Sequence, residues 1–177
     1  MIITVNIDFL LPIFKADTQE SLQTSPNVKK SNKQNIYFCQ VMILTEVVFD
    51  KDFLTISFDP QHKLVYLKWK GYASSENFRE GLNYALDIVK DHNAENWLGN
   101  LKLMEAIHPL DEEWAIQNWF PQIANTTLRK MAIVTSLDYF NNTSVKRIVN
   151  TVVPSICFET RYFVDTIPAR EWLFSQA

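Results

Sequence analysis

Glycine is scarce in this 177-residue chain, and its three occurrences, Gly71, Gly81 and Gly99, are widely spaced. Phosphate-cradling P-loops and dinucleotide fingerprints each need several glycines close together, so both are excluded. Cysteine is scarcer still. Cys39 and Cys157 stand too far apart for a disulfide scaffold or a paired zinc ligand set, and so few cysteines point to a reducing, cytoplasmic setting. No G-x-S-x-G elbow, H-E-x-x-H pair or C-x-x-C motif is present. Seventeen basic residues against twenty acidic ones give a net charge of −3, which offers no general attraction to nucleic acid or anionic lipid. No run reaches the roughly 20 apolar residues that cross a bilayer. The longest apolar stretch, residues 1–14, is interrupted by Asn6, Asp8 and Pro12 and lacks the basic start of a signal peptide.

What is present is an ordinary globular composition, 47% hydrophobic and 21% charged. Residues 15–35 are polar and rich in Ser, Thr, Gln, Asn and Lys, as a flexible linker would be. Residues 1–41 therefore read as an appendage, and 42–177 as one domain. Within it, residues 53–59 and 63–69 read as two strands joined by a turn at Asp59-Pro60-Gln61-His62. In the second strand Val65, Leu67 and Trp69 share a face that should be buried. Ser74 or Ser75 caps a helix along which Phe78, Leu82, Ala85, Leu86 and Val89 recur at helical spacing, and Gly81 inside it implies close packing on a strand.

A strand over 95–102 follows, then a helix with Pro109 in its first turn and Asp111, Glu112 and Glu113 beside its positive end, which Pro121 should kink or restart. Residues 131–135 form a strand, Asn141 or Asn142 caps a helix carrying Val145, Ile148, Val149 and Val152, residues 157–164 form the last strand, and Asp165 or Thr166 caps a final helix. The order ββαβαβαβα predicts an α/β fold: a single mixed sheet that opens with an antiparallel hairpin and continues in parallel βα units, with helices packed on it.

No catalytic set, metal site or cofactor site emerges. His62, His92 and His108 share no local metal-ligand spacing. His108 is the most interesting of them, because it follows a strand's carboxyl end, where open α/β sheets bind ligands. Asp111 to Glu113 point in different directions and so complement the helix dipole better than they form an acid and base pair. Cys157, entering an apolar strand, reads as inert core. Sequons at Asn125, Asn141 and Asn142 matter only in a secreted protein. Trp114 and Trp119 lie about 140° apart on an ideal α-helix, which sets one of them off the core strip and suggests an interface or pocket lip. His108, Trp114, Trp119 and Phe120 are therefore the candidate ligand or partner surface.

The stretch from Leu64 to Leu173, especially the segments YLKWKGYASSENFREGLNYALDIVK, WLGNLK, EEWAIQNWFP, KMAIV and ETRYFVDTIPAREWL, resembles small bacterial STAS-like proteins, relatives of the anti-sigma-factor antagonists. The resemblance implies a mixed sheet with helices and a role in protein-protein regulation or small-ligand sensing, with no reaction; the leading expectation is a non-enzymatic regulatory or interaction module that pairs with a protein partner or forms a homodimer through an aromatic-rich helix face. It also implies a phospho-acceptor Ser or Thr after the strand containing Trp97. Here that stretch is Leu103-Met104-Glu105-Ala106-Ile107-His108-Pro109, which offers no hydroxyl. The alternative expectation is a binder of a small apolar or amphipathic, lipid-like ligand in a pocket at one end of the sheet.

Overall fold

In a computed structural model, residues 45–175 are described. They form six strands and their covering helices: β1 (Glu46–Lys51), β2 (Leu54–Asp59), β3 (Leu64–Gly71), α1 (Ser75–His92), β4 (Asn96–Met104), α2 (Pro109–Trp114), a π-helical turn (Ala115–Trp119), α3 (Phe120–Ile123), β5 (Lys130–Val134), α4 (Tyr139–Val152), β6 (Glu159–Phe163) and α5 (Thr166–Phe174). The strands lie side by side in sequence order, antiparallel from β1 to β3 and parallel from β3 to β6. The expected mixed sheet is thus present, with β1 as an additional edge strand. The reading of residues 1–41 lies outside the described residues.

One face of the sheet carries the main core. Val65, Leu67 and Trp69 of β3 are buried there against Phe78, Leu82, Ala85, Leu86 and Val89 of α1, as their spacings predict. Ser74 caps α1 by accepting a hydrogen bond from the Asn77 amide, and Asn93 closes it in the left-handed conformation (φ 49°). Gly81 sits against the sheet so closely that a Cβ would lie 2.3 Å from Leu54 Cδ2 and 3.0 Å from Trp69 Cη2. The opposite face is covered by α5, whose Ala169 and Leu173 bury Leu64, Leu98, Ala132 and Val134.

A register shift in β4 decides which side chains its carboxyl end turns inward. Lys68 pairs with Asn100, but Lys70 pairs with Leu103, so β4 carries one extra residue at Leu101-Lys102. Asn100 Oδ1 accepts from the Lys102 amide at 3.1 Å and so stabilises this bulge. A bulge reverses side-chain alternation. Met104 consequently turns into the core at 2% exposure, and Leu103 turns out at 53%.

The π-helical turn has a local cause. Pro121 has no N–H for the Gln117 carbonyl and its ring crowds that carbonyl. The ladder ahead of it widens, and the Phe120 amide bonds Ala115 O, five residues back. Pro121 does not break the helix, which continues directly into α3.

Three expectations change. Asp138, not Asn141 or Asn142, caps α4, accepting from the Asn141 amide at 2.7 Å, and this places Asn141 inside the first turn, fully buried. Asp165 precedes α5 without a side-chain cap bond, pairing with Lys102 instead. Cys157 is exposed, because the last strand begins at Glu159 and leaves Cys157 in the loop before it.

Candidate functional site

Between the main sheet face and the helices lies an apolar cavity of about 90 Å³. Its floor is made by alternate residues of the central strands, including Trp97, Gly99 and Leu101 on β4 and Ile133 on β5. Gly99 is flanked by Leu67 and Ile133 on the neighbouring strands, and its missing side chain leaves open floor: a Cβ there would meet nothing nearer than Trp97 Nε1 at 3.4 Å. The roof includes the small residue Ala115 beside Trp119 and Phe120, and one wall is Val145, Ile148 and Val149 of α4. Cores pack with few voids larger than a water molecule, so two small residues set among large aromatics account for the space. Of the lining residues only Leu101 is half-buried, which makes it the point nearest solvent.

The four expected surface residues separate into two groups. Trp119, 2% exposed, and Phe120, 8% exposed, both line the cavity. The Trp119 indole donates to Leu82 O at 2.9 Å and meets Trp97 edge-on, with ring centroids 5.4 Å apart. This fixes the aromatic wall. Trp114 does not reach the cavity. It lies half-buried behind Phe78, edge-on at 6.4 Å, with the Arg79 guanidinium 5.2 Å from its ring centroid. An angle of about 140° between residues five apart holds only for an ideal α-helix. A π turn brings residues five apart round to similar positions, and both tryptophans pack on the main core. His108 is exposed and caps α2, its Nδ1 accepting from the Leu110 amide at 3.3 Å; the adjacent Ile107, not His108, lines the cavity.

Two acidic residues do more than complement the dipole of α2. Asp111 and Glu112 are 1% and 6% exposed. Asp111 accepts from Ser75 Oγ at 2.6 Å and Arg79 Nε at 2.8 Å on α1; Glu112 accepts from Ser144 Oγ at 2.6 Å and from Arg147 Nη1 on α4. As adjacent helical residues they face different ways, and each ties α2 to a different neighbouring helix. Buried carboxylates need such partners. Their signal in the sequence was Ser75 with Arg79 and Ser144 with Arg147, each a hydroxyl and a guanidinium on one helical face.

His62 is also engaged. Asp59, 1% exposed, holds the β2–β3 turn by accepting from the amides of Gln61 and His62 and meeting His62 Nδ1 at 2.7 Å, while the imidazole stacks on Phe174 at 4.2 Å.

The cavity lining contains no titratable side chain, so its chemistry is shape and apolar contact. Among the described residues no cluster of three His, Cys, Asp or Glu could hold a metal ion, and no helix is long and apolar enough to cross a membrane. Comparison of this chain with protein-family models, with curated proteins and with solved structures finds no match.

Proposed function

We propose that residues 42–177 form a non-catalytic binding module that takes up a small apolar or amphipathic molecule in the cavity framed by Trp97, Gly99, Trp119 and Phe120. The supporting observation is the cavity itself: about 90 Å³ of apolar space lined by side chains of the main core. A cavity of roughly 150 Å³ lined by aliphatic and aromatic groups stays dry and takes up benzene or xenon. The smaller space here suits a short alkyl group or a single ring, admitted past Leu101.

A second reading, a regulatory or protein-protein interaction module of STAS-like type, is favoured by the loops at the carboxyl edge of the sheet. Leu137, Tyr139 and Phe140 are 76%, 75% and 68% exposed, and Leu103 and Val164 are exposed beside them. Hydrogen bonds hold these loops together: the Leu137 amide donates to Lys102 O and the Thr135 amide to Phe163 O. Exposed apolar side chains on adjoining loops favour an interface there. The missing hydroxyl between Leu103 and Pro109 argues against a phospho-switch at that edge. We propose a cytoplasmic setting for either reading, supported by the low cysteine content.

Native mass spectrometry of freshly purified protein separates the two readings. A stoichiometric added mass on each chain supports the ligand reading. An empty dimer, converted to monomer by Phe140→Ser, supports the second reading and overturns the first.

A further inference from the structure

Asn141 is a polar side chain with no exposed surface, and one of its atoms has nothing to bond. Its Nδ2 donates to Glu105 O at 2.8 Å and its backbone amide to Asp138 Oδ1 at 2.7 Å. The first bond fixes the orientation of the amide, since reversing it would set two carbonyl oxygens against each other. Oδ1 is therefore a buried acceptor without a partner. Neighbouring donors are committed elsewhere: Ser144 Oγ to Glu112, Ser136 Oγ to Met104 O, and Asn142 Nδ2 to Ser136 O.

The position of this orphan acceptor is informative. Val145 and Ile148 lie four and seven residues after Asn141, on the same helical face, and both line the cavity. The Glu105 carbonyl that holds the amide lies in the chain between Met104 and Ile107, which also line it. Asn141 is not itself among the residues that line the cavity; its amide lies one turn beyond Val145 on the same helical face, just outside the apolar lining and toward the carboxyl edge of the sheet.

We propose that Asn141 Oδ1 is the polar anchor of this cavity, and that its ligand is an apolar molecule bearing one neutral hydrogen-bond donor: an alcohol, a phenol or an N–H. The inference rests on the ligand-binding reading above and narrows it. A carboxylate offers only acceptors and would place two of them face to face. A cation would be stripped of water against a lining that holds no charge to receive it. A hydroxyl satisfies the orphan acceptor and leaves the rest of the molecule in apolar contact. Fatty acids are therefore disfavoured relative to the corresponding alcohols.

The test uses three single-ring probes, benzene, phenol and benzoate, titrated into the full chain and followed by the methyl signals of Ile133, Ile148 and Val149 and by the side-chain amide signal of Asn141. Phenol is expected to bind about 3- to 10-fold more tightly than benzene, the range one net hydrogen bond supplies, and benzoate more weakly than either. Only phenol should move the Asn141 amide signal. In Asn141→Ala the ratio of phenol to benzene affinity should fall to about one while benzene still binds, and in Gly99→Val both should be lost. Benzene and phenol binding equally to the unaltered chain overturns the anchor and leaves the cavity reading standing. Failure of all three probes overturns both. If Asn141→Ala does not fold, the preference and the amide shift in the unaltered chain decide the matter alone.

Discussion

Replacing Gly81 with alanine sets two effects against each other. An interior helical position gains about 1 kcal/mol when glycine becomes alanine. The added methyl, however, would stand 2.3 Å from Leu54 Cδ2 and 3.0 Å from Trp69 Cη2, well inside contact distance. Leu54 is 1% exposed and Trp69 3%, so neither can swing into solvent, and α1 must lift from the sheet or both side chains must leave their rotamers. Overpacking of this kind costs about 1–3 kcal/mol. The net result is a loss of stability of about 1 kcal/mol. With a urea dependence near ~2 kcal/mol/M, the unfolding midpoint should fall by roughly 0.5 M. Leu54→Ala removes the obstructing atom, so the double variant should lose less than the sum of the single losses, by at least ~0.5 kcal/mol. A Gly81→Ala protein more stable than the parent, with additive behaviour toward Leu54→Ala, would refute the close approach of α1 to β2 and β3.

The ionic contacts carry two further expected outcomes. Glu112→Ala should destabilise by about 1–3 kcal/mol, because buried Ser144 Oγ loses its acceptor, and Arg147→Ala should also destabilise by about 1–3 kcal/mol, because the buried Glu112 carboxylate loses its cationic partner. An unchanged urea midpoint in either variant would contradict the tie between α2 and α4. Glu95 is held below the usual carboxylate range, first by its hydrogen bond from Lys63 at 2.6 Å and also by the charges of Arg129 and Lys63, against the opposing effect of desolvation. A depressed carboxyl pKa adds stability above the ordinary value of 4.5, which is lost as pH falls through the folded value. Glu95→Gln should therefore flatten part of the acid limb of the stability profile, and high salt should mimic it; an unchanged acid limb would count against the contact.

The element order was legible because most elements carry their period openly: Val65, Leu67 and Trp69 alternate, and the apolar stripe of α1 recurs every three to four residues. β1 was not, since its bulge between Val47 and Phe49 breaks the alternation that marks a strand. The spacing of Trp114 and Trp119 departs from that of an ideal α-helix because Pro121 changes the helical period upstream of itself, an effect carried by backbone hydrogen bonding instead of side-chain pattern. Trp119 and Phe120 were within reach of the sequence as candidates. The cavity they line was not, because it depends on Gly99, sixteen residues before Ala115 and on another layer of the fold. Asn141 carried a capping signal that Asp138, three residues earlier, satisfies in its place; what remains at Asn141 is visible only once burial and partners are known.

The proposed function stands on a core that keeps an apolar space able to admit a small molecule. Diffraction from crystals of the protein pressurised with xenon tests this directly. A xenon atom is expected between Gly99 and Trp119, bounded by Trp97 and Ile133, and it should be lost in Gly99→Val. Side chains closed over that volume, with no xenon bound there, would contradict the proposal.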